Sequence, residues 1–271
     1  MNPLEFIQLT PKTNCGECGH PTCLAFAVAV TKGGADPARC PYVALEGLPD
    51  EFSQAGGDGL QQVDRGQDER DMALVAYLKS KIREVDFGAV ANRLGVEWKS
   101  DQPEIIKFGY LGREVVLSRD EVRMEGGELV DPRDQILLYN YVSSGGGEAP
   151  RGDWVGMESL PNSISKVRTL AAYCEQPLAK RFSGRLARLV SACQRIGALS
   201  APAEQSGDFE AVIPVLPQVP IYVLFWDEDA EDGFESRVKV LFDRHVLDFL
   251  DIESLVFAAE RMAERIMELD T

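Results

Sequence analysis

Four cysteines within the first forty residues, Cys15, Cys18, Cys23 and Cys40, constrain this chain more than any other feature. They are separated by two, four and sixteen residues, which puts three thiols on one tight loop and brings the fourth back on a returning stretch. A cubane iron-sulfur cluster asks for that layout, because its four irons sit at the corners of a tetrahedron and each takes one thiolate. Gly16 and Gly19 carry no Cβ, so the loop between the thiols can use positive φ and turn amide N–H groups toward the sulfides. Lys12 and Arg39 would add positive charge against an anionic cluster. Cys23 to Val30 reads as a helix covering the site, Gly33-Gly34 ends it, and Pro41 turns the chain away after the last thiol.

Other thiol chemistries fit less well. Structural zinc also takes four thiolates, but it is usually held by two separated Cys-x-x-Cys knuckles, and a second knuckle is missing. Disulfides between cysteines this close in sequence would be strained, and a dithiol built on Cys15 and Cys18 leaves Cys23 and Cys40 unexplained. His20 lies inside the loop and is read as a partly exposed loop residue. Cys174 and Cys193 fall on apolar helical faces and are read as core.

The stretch Pro11-Lys-Thr-Asn-Cys-Gly-Glu-Cys-Gly-His-Pro-Thr-Cys-Leu-Ala-Phe-Ala, with Cys40-Pro41, resembles the four-iron module of the corrinoid iron-sulfur protein large subunit. It is also similar to the module of ion-pumping and electron-bifurcating ferredoxin oxidoreductases. The resemblance implies a low-potential [4Fe-4S] cluster ligated by Cys15, Cys18, Cys23 and Cys40, and single-electron transfer in anaerobic metabolism. It covers about the first fifty residues, and no cobalamin-carrying barrel is recognisable afterwards. The later segments Val212-Ile-Pro-Val-Leu-Pro-Gln-Val-Pro-Ile, Lys239-Val-Leu-Phe-Asp and Leu247-Asp-Phe-Leu-Asp-Ile-Glu-Ser-Leu resemble an uncharacterised domain family found behind such modules in anaerobes.

The chain divides by composition. Residues 1–50 form the expected cluster module, 51–68 an acidic, glycine-rich linker, and 69–271 a second domain. In that domain Val75, Leu78, Ile82, Val85 and Ala89 follow helical spacing up to a stop at Gly95. Residues 96–130 suit a meander of two to four strands, and Asp131-Pro132 opens a further helix that runs to the Gly145 loop. Two helices are expected around Cys174 and Cys193, with Pro177 at the break between them. The proline-bearing stretch 212–219 reads as extended or edge, Ile221 to Trp226 as a buried strand paired with Val238 to Asp243 across an acidic turn, and Asp251 as the start of a closing helix. His245 is read as a surface or turn residue. The fold class is α+β: a small helical and loop iron-sulfur module followed by a domain of antiparallel strands with flanking helices.

Charge narrows the function. The formal charge of −16 disfavours binding nucleic acid through its phosphates, and no apolar run approaches the roughly twenty residues of a membrane span. The N-terminus lacks secretory features, so a cytoplasmic protein is expected. Residues 1–50 carry a net −2, so the acidic excess lies beyond them and favours a redox partner with a basic docking surface. Two alternatives stand beside electron transfer. One is a redox enzyme handling a corrinoid or tetrapyrrole in the second domain, where Trp154, Tyr222, Phe225 and Trp226 could line a pocket; the other is a sensor or scaffold in which the cluster is structural.

Overall fold

In the computed structural model the described residues are 2–20, 22–33, 35–43, 59–128, 130–201, 207–229 and 232–270. The chain forms two compact units, Met1–Ala73 and Leu74–Thr271. The segment expected as a linker lies outside the described residues over 51–58. From residue 59 it is helical, because helix α3 runs Gly59–Ile82, with its part from Leu74 in the second unit.

The first unit holds helices α1 (Pro3–Phe6) and α2 (Cys23–Gly33). Asn2 and Glu5 form a reciprocal capping box on α1, with Asn2 N–H donating to Glu5 Oε2 at 2.8 Å and Glu5 N–H to Asn2 Oδ1 at 2.9 Å. The unit's small core gathers Phe6, Phe26, Ala27 and Val30 with Cys18 and Cys40. Phe6 meets Phe26 edge-on, with ring centroids 6.0 Å apart.

The second unit is α+β, with antiparallel pairing in both sheets. Helix α4 (Phe87–Leu94) follows α3, and then comes a four-stranded meander β1 (Glu97–Trp98), β2 (Ile105–Tyr110), β3 (Arg113–Ser118) and β4 (Val122–Met124). Helix α5 (Pro132–Ser144) begins where Asp131 accepts the Arg133 N–H, and it ends on Gly145 at φ 70°. The larger sheet has strand order β5-β9-β8-β7-β6: β5 is Trp154–Gly156, β6 Leu199–Ser200, β7 Phe209–Leu216, β8 Val219–Trp226 and β9 Arg237–Asp243. Helices α6 (Ile164–Leu170), α7 (Gln176–Phe182) and α8 (Leu186–Arg195) lie between β5 and β6 in the chain, and α9 (Ile252–Glu268) closes it. Leu255, Val256, Ala259, Met262 and Ile266 of α9 are buried, as the helical spacing after Asp251 predicts, whereas Ile252, expected on the same face, is half-buried.

Three local readings change. The helical face expected from Val75 to Ala89 is split, because the Asp86 carboxylate caps the Ala89 N–H and starts a new helix; Phe87, Val90 and Leu94 turn inward and Ala89 is exposed. Pro177 does not separate two helices. It sits in the first turn of α7, directly after a π-turn over Ala171–Glu175, and the wider turn accommodates a residue that has no N–H to give; the chain turns instead at Gly184, φ 65°. The proline-bearing β7 lies inside the sheet order, yet its outer neighbour β6 covers only Ala211 and Val212. Pro214 therefore lies beyond β6, next to a register shift, and Leu111 N–H donates to Val215 O nearby at 3.2 Å.

A buried ion pair ties α5 to α9 and β2. Arg261 donates to Asp134 Oδ1 and Oδ2 at 2.7 and 3.1 Å, and Tyr110 O–H donates to Asp134 Oδ1 at 2.9 Å. The Asp134 side chain is only 4% exposed, so it depends on these partners. Arg261→Leu should destabilise the chain by about 3 kcal/mol by leaving that carboxylate uncompensated. Tyr110→Phe, which deletes one hydrogen bond, should cost about 1 kcal/mol. Urea unfolding of both variants beside the parent checks the order.

Candidate iron-sulfur site

The site grows from two short elements and the loop between them. After α1, a 3-10 turn over Ile7–Leu9 ends where Thr10 Oγ1 donates to Ile7 O at 2.8 Å, and the loop then reverses repeatedly. Lys12 and Asn14 take φ of 57° and 52°, Gly16 and Gly19 take 78° and 82°. The expected positive φ at the two glycines is present, and two non-glycine residues share it. Successive residues in such conformations point backbone N–H groups to one side, which makes an anion-binding nest.

Here the nest faces Cys23. Asn14 N–H, helped by the Thr10 side chain and by the N–H groups of Lys12 and Thr13, holds the Cys23 thiol below its ordinary value of 9.0, while burial pulls the other way. In return, Cys23 N–H donates to Asn14 Oδ1 at 2.8 Å. Cys23 opens α2, and Thr22 Oγ1 caps that helix by accepting Ala25 N–H at 3.0 Å. A thiolate at a helix N-terminus is further favoured by the helix dipole.

Cys40 arrives from the other side. Asp36 Oδ1 accepts Ala38 N–H at 2.8 Å and starts a 3-10 turn, Pro37–Arg39, that delivers Cys40 into the small core. Cys18, Cys23 and Cys40 are buried, Cys15 is exposed, and all four are free thiols. Tyr42 O–H donates to Glu17 Oε1 at 3.1 Å; that carboxylate, and to a lesser degree the charges of Cys15 and Cys40, raise the phenol above its ordinary value. Among the described residues no three His, Cys, Asp or Glu side chains are grouped to hold a single metal ion.

The other candidates separate from this site. His20 is half-buried, with its ring 5.4 Å from that of Phe26. Lys12 Nζ donates to Gln8 Oε1, and Arg39 lies across the loop, where a Cβ on Gly19 would come within 3.8 Å of its Nη2. Cys174 and Cys193 are fully buried; burial raises both thiols, Cys193 to about 12. His245 is half-buried at a turn, with Nδ1 3.7 Å from Glu148 Oε2. The four aromatics fall on two faces of the larger sheet: Phe225 joins the main core, and Trp154, Tyr222 and Trp226 join a separate cluster with Leu224. The acidic turn between β8 and β9 carries a paired bridge, Asp229 to Phe234, at 3.0 Å in both directions. Sequence reasoning assigned no role to Asn14, Glu17 or Tyr42, although Asn14, a residue tolerant of positive φ beside a cysteine, carried a signal.

A family model described as "Domain of unknown function (DUF3786)" matches residues 86–265, well over half of the chain. The chain belongs to the DUF3786 family. A second model, described as "Putative Fe-S cluster", matches residues 11–42 of this DUF3786 protein, the span that contains the four thiols. Over 41 residues, 15% of the chain, it is 56% identical to the corrinoid/iron-sulfur protein large subunit of Moorella thermoacetica, of which it covers 9%. It is 44% identical over 45 residues, 17% of the chain, to the acetyl-CoA decarbonylase/synthase complex subunit gamma 2 of Methanosarcina thermophila, of which it covers 10%. It is 34% identical over 71 residues, 26% of the chain, to one subunit of the ion-translocating oxidoreductase complex of Alcanivorax borkumensis, of which it covers 36%. The chain therefore spans about a tenth to a third of these relatives. No solved structure matches it.

Alkylation of the metal-free chain, followed by mass spectrometry against pH, tests the geometry. Cys15 should react first, and Cys174 and Cys193 only on unfolding. The midpoint for Cys23 should fall below 9.0, because N–H donation favours its thiolate; Asn14→Ala, which removes the side chain that ties the loop at φ 52° to Cys23 N–H, should displace the loop N–H groups and move it back up.

Proposed function

We propose that this chain binds one [4Fe-4S] cluster through Cys15, Cys18, Cys23 and Cys40 and serves as a one-electron carrier in anaerobic metabolism. The observation that carries this reading is the set of four unpaired thiols in one small unit, three of them buried, with an N–H nest turned on Cys23. That donor set fits the group: thiolate ligands, N–H donors to sulfur, and apolar walls from Phe6, Phe26 and Val30. The family match over residues 11–42 and the iron-sulfur relative support it.

When bound, the cluster supplies a one-electron couple whose potential depends on net charge, hydrogen bonds to sulfur and exposure. The chain's own residues set those variables. Asn14, Lys12 and Thr13 place N–H groups at the Cys23 sulfur, and the Phe6–Phe26 core excludes water behind Cys18 and Cys40. Cys15, the exposed thiol, marks the side open to a redox partner. In this reading residues 1–50 are the electron-carrying module, and the DUF3786 region selects the partner, a protein with a basic docking surface. Relatives named as parts of larger complexes are consistent with such a partner. Among the described residues no helix is long and apolar enough to cross a membrane.

Anaerobically purified protein should contain about four irons and four sulfides per chain. Cys18→Ser and Cys40→Ser should lose most of both; full iron retention in both variants would overturn the ligand set, and stoichiometric zinc in the parent would overturn the cluster. Dithionite should give a reduced cluster visible by electron paramagnetic resonance, and a cluster that resists dithionite and ferredoxin would remove the electron-transfer role.

A further inference from the structure

The Glu17–Tyr42 contact has a character that packing does not explain. Tyr42 is 54% exposed, so hydrophobic burial does not hold its ring in place. Its hydroxyl is nonetheless engaged, donating to Glu17 Oε1 at 3.1 Å. The bond joins residues 25 positions apart, whereas the Asn14–Cys23 bond spans nine and the Thr22 cap three. Its two ends lie on different arms of the site: Glu17 between Cys15 and Cys18, and Tyr42 two residues beyond Cys40. Tyr42 and Glu17 thus link the chain after Cys40 to the loop that carries the exposed Cys15.

We propose that the Glu17–Tyr42 hydrogen bond is a latch that fastens the Cys40 turn to the Cys15–Cys18 loop and so closes the solvent-facing side of the cluster site. The inference rests on the cluster reading above and assigns Glu17 and Tyr42 as positioning residues. Cys18, Cys23 and Cys40 are buried and Cys15 is exposed, so in this reading a bound cluster is open to solvent on the Cys15 side. A hydrogen bond across that opening keeps the two ligand-bearing arms from parting. A charged acceptor makes it stronger than a neutral pair, and its exposed position keeps it easy to open.

The test uses the full chain loaded with its cluster and follows iron release to a chelator after exposure to air. Tyr42→Phe keeps the ring and loses only a surface hydroxyl, so it should load as the parent does. It should release iron about threefold to tenfold faster, the factor expected from one such hydrogen bond. Glu17→Ala should do the same, and the double variant should be no faster than the faster single, because only one interaction is there to lose. Glu17→Gln, whose amide oxygen still accepts from the phenol but without the charge, should fall between the parent and Glu17→Ala, a partial rescue that loss of charge alone would not give. Parent-like rates in Tyr42→Phe, multiplicative rates in the double variant, or a Glu17→Gln variant as fast as Glu17→Ala would each overturn the latch. Iron and sulfide content at the start separates the two claims: a parent chain without them overturns the cluster reading, and a loaded parent with unchanged variants overturns the latch alone.

Discussion

The exchange between Asn14 and Cys23 organises the first unit. One backbone N–H goes to the sulfur and another comes back to the Asn14 side chain, which locks the reversed loop to the first turn of α2. Without that lock the positive φ of Lys12 and Asn14 would have no compensation, since non-glycine residues enter that region at a cost. The lock also settles a charge problem. Four thiolates gathered in one place repel one another, and N–H groups aimed at sulfur, together with a helix N-terminus, are what a short chain can offer against that repulsion.

Size makes this arrangement consequential. Among the described residues, the first unit's buried cluster contains two phenylalanines, two valines and an alanine besides its two thiols. Chains with so little core commonly depend on metals or cross-links for stability, and metal binding then becomes part of folding free energy. In the proposed role the ligands are therefore also core residues: Cys18 and Cys40 pack with Phe6 and Phe26 while presenting sulfur to the site. The second unit is built differently. Two antiparallel sheets and their helices bury one extensive apolar core, in which the Asp134 carboxylate is held by Arg261 and Tyr110.

Legibility in the sequence followed the range of the interaction. Cysteine spacing, the glycines in the loop, the helix opened by Cys23 and the apolar face of α9 were readable because each is a local pattern with a direct physical cause. Misreadings occurred where one hydrogen bond or one residue overrode a pattern: Asp86 restarted a helix that periodicity would have continued, and the π-turn absorbed Pro177. The acidic, glycine-rich composition of residues 51–68 suggested a linker, yet the backbone from Gly59 onward is helical. The aromatics of the larger sheet looked like one group because they are close in sequence, but alternation along β8 sends Tyr222 and Trp226 to one face and Phe225 to the other. Tyr42 and Glu17 left no trace, since a side-chain bond across 25 positions has no periodicity to detect.

Charge then bears on how the two regions divide the proposed work. Residues 1–50 carry a net −2 of the chain's −16, and residues 227–271 alone carry −9. Negative charge near a cluster disfavours adding an electron, so a module that is nearly neutral leaves its potential to be set by local N–H groups more than by its own surface. The acidic field instead belongs to the DUF3786 region, where it can attract a basic partner over a distance of about one Debye length, roughly 8 Å at physiological salt. Separating the two tasks has a physical advantage. If the docking charge were gathered around Cys15, every change that strengthened recognition would also shift the cluster's potential.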